Sequence, residues 1–206
     1  MERHTETEQK IIASAEKLFY QKGKAGTSMQ DIADDAGINR TLLNYYFRTK
    51  DQLFEAVFRG AMGRFVPELA TLLHSGISIE EYIPVMIERI ITAMIENPQI
   101  PAFVLQELNT NLNRLPQIIK GMGIDPEVAL EKLEREKPGL STSGIDPRQV
   151  IISLLSMCIF PFAARPVITE ILYGGDEDAF IKAMQERKKL VPLMVRQMMM
   201  MKNPMS

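Results

Sequence analysis

Apolar and polar positions recur with a helical period along most of this chain of 206 residues. No segment shows the strict alternation that is typical of a half-buried strand, so we predict an all-α fold. The first apolar stripe predicts a helix that ends near Gly23. Its members are Ile11, Ile12, Ala15, Leu18 and Phe19.

Three further helices are predicted close together in the N-terminal part of the chain. Ser28, Asn39 and Thr49 each precede an apolar stripe and are residue types that favour N-cap positions. Gly37 is expected to end the second helix in a left-handed conformation. The fourth helix carries an apolar stripe that we expect to reach Phe65. Two short helices joined by a glycine-containing turn are typical of a helix-turn-helix.

The third predicted helix has two different faces. We expect Leu42, Leu43 and Phe47 to pack inward, which leaves a polar face free to enter a major groove. Arginine suits guanine, asparagine suits adenine, and threonine or an aromatic edge can contact a thymine methyl group. The alternative is an ordinary helical bundle in which the tyrosines are half-buried packing. The outward residues are Arg40, Thr41, Asn44 and Tyr45.

The charge of the chain changes this picture only locally. A net charge of −2 gives no sign of a nucleic-acid partner. Within residues 36–50, however, Arg40, Arg48 and Lys50 stand without any acidic residue. Such a face is either a phosphate footprint or a solvated surface. Ser28, Tyr46 and Lys50 lie at helix starts or flanks, where backbone N–H groups attract phosphate.

Two segments together resemble the signature of the tetracycline-repressor (TetR) family. They are TSMQDIADDAGINR at residues 27–40 and LNYYFRTKDQL at residues 43–53. The resemblance implies a three-helix DNA-binding domain over residues 1–50 and a larger helical domain for effector binding and dimerisation over 51–206. Leu42 and Asn44 depart from residues common in the family, which leaves the operator sequence open. The resemblance implies phosphate contacts by Thr27, Tyr46 and Lys50 and base contacts by Arg40, Thr41, Asn44 and Tyr45. Ser28 and Asn39, at the starts of the second and third helices, complete the candidate DNA-binding residues.

The rest of the chain is also predicted to be helical. Residues 138–144 read as a loop, and Pro161 and Pro166 are expected to break the chain before the last helix. The longest stripe of this part is Ile79, Ile83, Ile87, Ile90, Ile91 and Met94. The predicted helices cover about 78–97, 127–137, 148–159 and 176–201.

Two of these helices are apolar on more than one side, over residues 150–162 and about 180–201. A helix of that kind must be covered on several sides. Pairing with the same helices of a second chain would give a two-fold four-helix interface, and we place Leu154 in it. The alternative is a monomer that buries both helices internally.

A small-molecule effector site is a further prediction. Polar residues near Gln106 lie among apolar ones, and several methionines could line an adaptable cavity. These polar groups could equally face water, and the methionines could fill the core. The candidate lining residues are Met62, Phe65, Met86, Ile90, Phe103, Gln106 and Phe160.

Nothing in the sequence predicts an enzyme, a cofactor or a metal site. There are two histidines, and Cys158 lies in an apolar run, where a small core residue is expected. No apolar run approaches 18 residues and no secretory signal is recognised, which predicts a cytoplasmic, DNA-associated bacterial protein. We therefore predict a ligand-released repressor that binds a palindromic operator. The alternative is an architectural or cell-division factor of the same fold without an inducer.

Overall fold

The structure is a computed structural model that describes residues 2–63, 66–101, 103–105, 114–142 and 144–200. These residues form helices and turns and contain no strand, which confirms the all-α prediction. Short helical stretches at residues 100–101 and 103–105 lie between α6 and α7. The helices are α1 Glu2–Lys22, α2 Met29–Asp35, α3 Arg40–Tyr46, α4 Lys50–Met62, α5 Val66–His74, α6 Ile79–Glu96, α7 Arg114–Lys120, α8 Pro126–Glu136, α9 Gly139–Thr142, α10 Pro147–Ala163, α11 Arg165–Tyr173 and α12 Glu177–Met200.

The chain divides into two compact units. The first consists of Met1–Arg64 with Ala102–Ile118, and the second of Phe65–Pro101 with Ile119–Ser206. In the first unit α4 packs against α1, so the fourth helix belongs structurally with the first three. The predicted domain boundary between residues 50 and 51 was drawn to separate DNA binding from effector binding and dimerisation, and it does not follow the packing of α4. It stays a prediction.

An aromatic cluster forms the centre of the first unit. The rings of Phe54 and Phe103 lie 4.7 Å apart, and Phe19 stacks on Phe103 with ring centroids 6.4 Å apart. Phe19 and Phe54 are at most 1% exposed. The burial of each such side chain stabilises the folded state by roughly 1.5–3 kcal/mol. This cluster holds α1 and α4 together and thereby supports the short helices between them.

The second unit is built around α6, which packs mainly on α12 and α10. All six positions of its predicted stripe are buried, which confirms the helical period of this segment. Ser78 caps α6, and the Glu81 carboxylate accepts the Ser78 N–H at 2.9 Å. The helices α8 and α10 also begin with a capping aspartate, Asp125 and Asp146, each followed by a proline in the first turn.

Three expectations about this part of the chain were wrong. Residues 139–142 form the short helix α9 instead of a loop. Pro161 lies inside α10 instead of ending it, and Pro166 opens the additional helix α11. Leu154 is 2% exposed within a single subunit, so it belongs to the core and not to an intersubunit surface. The helix α4 ends at Met62, and Phe65, which its predicted stripe was expected to reach, lies outside the described residues.

No single helix in the described part of the chain is both long and apolar enough to cross a membrane. The pair α10 and α11 reaches that length and apolarity only when taken together, across a bend of 79°.

Candidate nucleic-acid interface

Three consecutive helices of the first unit begin with a side-chain cap. The side chains of Ser28, Asn39 and Thr49 accept N–H groups of the first turns of α2, α3 and α4 at 3.1, 2.8 and 3.2 Å. Gly37 has a φ of 66°, which lets the chain reverse between α2 and α3 without steric cost. All three predicted caps and the predicted left-handed glycine are therefore confirmed. Together they fix the directions of α2, α3 and α4.

Ser28 forms a reciprocal capping box with Asp31. The Asp31 carboxylate accepts the Ser28 N–H at 2.8 Å and its hydroxyl at 2.7 Å. These two hydrogen bonds lower the pKa of Asp31 below its usual range. Ser28 remains exposed at the start of α2, where a predicted phosphate contact is sterically open.

α3 presents a polar face to solvent. Leu43 and Phe47 are 0% and 7% exposed and pack inward, as predicted. Leu42 is 37% exposed, so its predicted inward packing is only partial and its side chain also belongs to the outer surface. The four predicted groove-facing residues, Arg40, Thr41, Asn44 and Tyr45, are all exposed.

The two tyrosines at the end of α3 have different environments. Tyr45 is 71% exposed, whereas Tyr46 is half-buried. Their rings meet edge to face, with centroids 5.4 Å apart and planes at 89°. This contact limits the rotation of Tyr45 and keeps its ring on the outer surface of α3. The arrangement places Tyr45 among the outward polar residues and Tyr46 at the margin of the surface.

The side chain of Thr27 faces the interior of the first unit. It is 1% exposed; its hydroxyl donates to the Gly23 carbonyl at 2.8 Å, and the Leu18 carbonyl lies 3.2 Å away. The hydroxyl therefore serves mainly the Gly23 carbonyl, just beyond the end of α1, where no further helical N–H follows. In this geometry the Thr27 hydroxyl is turned away from solvent, and the predicted phosphate contact of Thr27 stays a prediction.

Lys50 is also engaged within the first unit. Its Nζ donates to the Thr27 carbonyl at 2.9 Å. Nearby, Lys24 pairs with Asp51 at 2.8 Å and lies over the Phe54 ring at 4.8 Å from the centroid. These contacts tie the segment between α1 and α2 to the start of α4. A phosphate would have to compete with the Thr27 carbonyl for Lys50, so the predicted Lys50 contact involves an exchange of partners.

The buried hydroxyl leads to a test of whether Thr27 is structural. We expect Thr27→Val to cost about 1–3 kcal/mol, because the Gly23 carbonyl loses a buried donor. The melting midpoint should fall by roughly 2–4 °C per kcal/mol, while the folded variant binds DNA as before. Thr41→Val is the matched control, since this exposed side chain should change DNA binding and leave the midpoint unchanged. Calorimetry and DNA titration measure the two effects, and a large loss of DNA affinity in folded Thr27→Val would contradict the assignment.

The predicted effector residues are spread over both units. Met62 and Phe103 lie in the first, and Met86, Ile90 and Phe160 in the second. Phe103 is buried in the aromatic cluster and Ile90 is 8% exposed, whereas Phe160 is 63% exposed. The remaining two, Phe65 and Gln106, lie outside the described residues. An effector site formed by this set stays a prediction.

Cys158 has the environment of a core residue. It is 0% exposed, and burial raises the pKa of its thiol to about 12. The thiolate, which is the nucleophilic form, is therefore scarce near neutral pH. Among the described residues, no three histidine, cysteine or acidic side chains are grouped so that they could hold a metal ion.

A polar, exposed helix that follows a capped helix and a glycine turn is the arrangement of a helix-turn-helix. Residues 11–57 match the sequence profile of the family described as bacterial regulatory proteins, tetR family. Residues 11–57 therefore form a DNA-binding domain of the TetR type, and the chain is similar to known transcriptional regulators.

Similar proteins extend the likeness beyond the N-terminal segment. The chain is 27% identical over 184 residues to the Probable HTH-type transcriptional regulator YttP of Bacillus subtilis, covering 86% of this chain and 87% of the relative. The FadR regulator of Bacillus subtilis in complex with stearoyl-CoA shares the fold, with a TM-score of 0.59, 16% identity and coverage of 89% and 96%. AibR in complex with isovaleryl coenzyme A and operator DNA has a TM-score of 0.58, 20% identity and coverage of 76% and 85%.

Proposed function

We propose that this regulator is a homodimeric repressor that occupies a palindromic operator and leaves it when a small-molecule effector binds. The observation that carries the DNA-binding part is the outer face of α3. Its polar residues are exposed while Leu43 and Phe47 anchor the helix from behind. In a two-fold dimer, two such helices would occupy successive major grooves about 34–36 Å apart.

Dimerisation is supported by apolar surface on the C-terminal helices. Besides the side chains that pack within the subunit, α10 and α12 carry large apolar residues that face outward. A groove of about 540 Å³ runs between these two helices, with Ile152, Met157, Met194 and Met198 among its walls. Exposed apolar surface on this scale marks a protein interface more often than solvated surface. The outward residues are Ile152, Leu155 and Phe160 on α10, and Leu190, Leu193, Met194 and Met200 on α12.

The additional helix α11 adds to this apolar surface. Its buried residue is Thr169, whose hydroxyl has no hydrogen-bond partner in the described part of the chain. Val167, Ile171 and Leu172 are 59–72% exposed. The burial pattern is thus the reverse of that expected for a helix that folds onto one subunit alone. We include α11 in the proposed dimer surface.

The effector is expected to be apolar or amphipathic. The predicted lining residues are mainly methionine and phenylalanine, which accommodate apolar groups of varied shape. Stearoyl-CoA and isovaleryl coenzyme A accompany the two similar solved proteins. These two thioesters differ strongly in acyl length and are therefore suitable first probes for this chain.

Selection of bound sequences from a random DNA pool tests the repressor proposal. The recovered site should be a palindrome with half-sites about one helical turn apart. Operator affinity is then measured with and without each acyl-CoA at saturation, as shown by calorimetry. An effector should weaken binding at least about fivefold, or roughly 1 kcal/mol of coupling. A bound thioester that changes affinity less than about twofold, roughly 0.4 kcal/mol, would exclude that thioester as the inducer.

A further inference from the structure

Pro161 leaves one backbone carbonyl of α10 without its helical donor. In a regular α-helix the N–H of residue 161 would donate to the carbonyl of Met157, but proline has no N–H. Helix α10 nevertheless continues through Pro161 to Ala163, and Pro161 is buried. A buried carbonyl that loses its donor costs free energy unless another group takes the place of the missing N–H.

Arg187 of α12 takes that place. Its Nη2 donates to the Met157 carbonyl at 2.8 Å, and this is the carbonyl that Pro161 cannot serve. The Arg187 Nε is buried and has no hydrogen-bond partner among the described residues. Arg187 is half-buried as a whole, with its Nε removed from water, and its Nη2 serves one backbone atom of a neighbouring helix. The bond to Met157 places the guanidinium charge beside this turn of α10, where it partly offsets the rise in the pKa of Cys158 that burial causes.

We propose that Arg187 is a latch that closes the proline break in α10 and fixes how α10 and α12 pair. The latch joins the two helices that carry most of the outward apolar surface. It is therefore a positioning residue for the proposed dimer surface, and this last step rests on the proposed function. Two neighbouring features depend on the position of the same turn: the outward side chain of Phe160, and the bend of 79° into α11.

The Pro161→Ala substitution offers a specific test, because it restores the missing N–H to α10. Arg187→Met should lower the melting midpoint by about 3–8 °C in the native background, since the Met157 carbonyl is then left without a donor. In the Pro161→Ala background the helix itself supplies that donor, so the same Arg187→Met change should cost less than half as much. Losses of packing at either position contribute equally in both backgrounds and cancel in the double-mutant cycle.

All four proteins are compared at one protein concentration, because the midpoint of a dimer depends on concentration. Arg187→Lys, which keeps a donor, should retain part of the stability. Arg196→Met, on an exposed arginine of the same helix, is the control for loss of charge. The latch would be overturned if Arg187→Met lowered the melting midpoint equally in the native and Pro161→Ala backgrounds. It would also be overturned if Arg196→Met lowered the midpoint as much as Arg187→Met.

Sedimentation velocity separates this inference from the dimer proposal. If Arg187 positions the dimer surface, Arg187→Met should raise the dissociation constant at least about tenfold at a temperature where the variant is folded. Pro161→Ala should not restore it, because the N–H that it supplies lies within α10 and does not link α10 to α12. A protein that is monomeric in every variant would end the dimer proposal, yet a positive coupling in the melting cycle would still establish the latch. If the melting cycle shows coupling but Arg187→Met leaves the dimer dissociation constant unchanged, the latch contributes only to the stability of the subunit. That result would overturn its role in positioning the dimer surface.

Discussion

Replacing Arg40 by alanine should remove preference for one symmetric pair of operator positions and leave binding to unrelated DNA nearly intact. Arg40 is exposed at the first position of α3, where its forked donors can reach a base edge. The loss is expected to be on the order of 1–3 kcal/mol per half-site, which is about thirtyfold or more in affinity for a two-fold operator. Binding titrations on the selected operator and on a scrambled sequence measure the difference.

Two control variants separate base recognition from simple charge. Arg40→Lys keeps the positive charge and loses the fork, so it should keep non-specific affinity and still lose operator preference. Lys50→Ala should weaken binding about equally on both sequences and flatten the salt dependence by roughly one unit of slope. Its effect should be moderate, because the Nζ bond to the Thr27 carbonyl is given up when a phosphate is bound. Parallel losses on both sequences in Arg40→Ala would assign Arg40 to phosphate instead.

Leu193→Glu should convert the protein to a folded monomer. Leu193 is 60% exposed on α12, so a carboxylate there costs little within one subunit. In the proposed dimer the same charge would be buried without a partner, and the dissociation constant should rise at least about a hundredfold. The isolated monomer contacts one half-site, so operator affinity should fall steeply as well. Light scattering and DNA titration at several protein concentrations measure both effects.

The choice of Leu193 follows from the burial within a single subunit. Leu154, the position favoured by sequence, is 2% exposed, and a charge there would unfold the subunit whether or not a dimer exists. Gln99→Glu adds the same charge at an exposed position just beyond α6 and should change neither assembly nor DNA binding. A native protein that remains monomeric at micromolar concentration would contradict the proposal directly.

Much of the fold could be predicted because local signals agree with one another. A capping residue, an apolar stripe and a terminating glycine coincide in α2, and the six apolar positions of α6 follow a single period. Such signals act over one or two turns, so they can be recognised without knowing what the helix packs against. The exposed face of α3 follows from the same local geometry.

The errors arise where distant parts of the chain decide the outcome. Pro161 remains inside α10 because Arg187, 26 positions later, supplies the donor that proline lacks. Thr27 fits a surface role by composition, but the end of α1 takes its hydroxyl inward. An apolar run such as that of α10 does not reveal which side chains face the subunit core. Leu154 and Leu155 are adjacent in sequence, yet Leu154 is buried in the subunit core and Leu155 is exposed.

The three side-chain caps at α2, α3 and α4 also bear on how this protein can be regulated. Each helix start is stabilised by its own chain, by about 0.5–2 kcal/mol per cap, before any operator is present. The recognition surface is therefore ordered in the free protein, and its amide hydrogens should exchange slowly with and without DNA. An effector that acted by melting this surface would have to overcome all three caps together with the aromatic core. An effector that changed only the spacing of the two DNA-binding domains in a dimer would control operator binding without such disruption. It would leave each α3 intact for the next binding event.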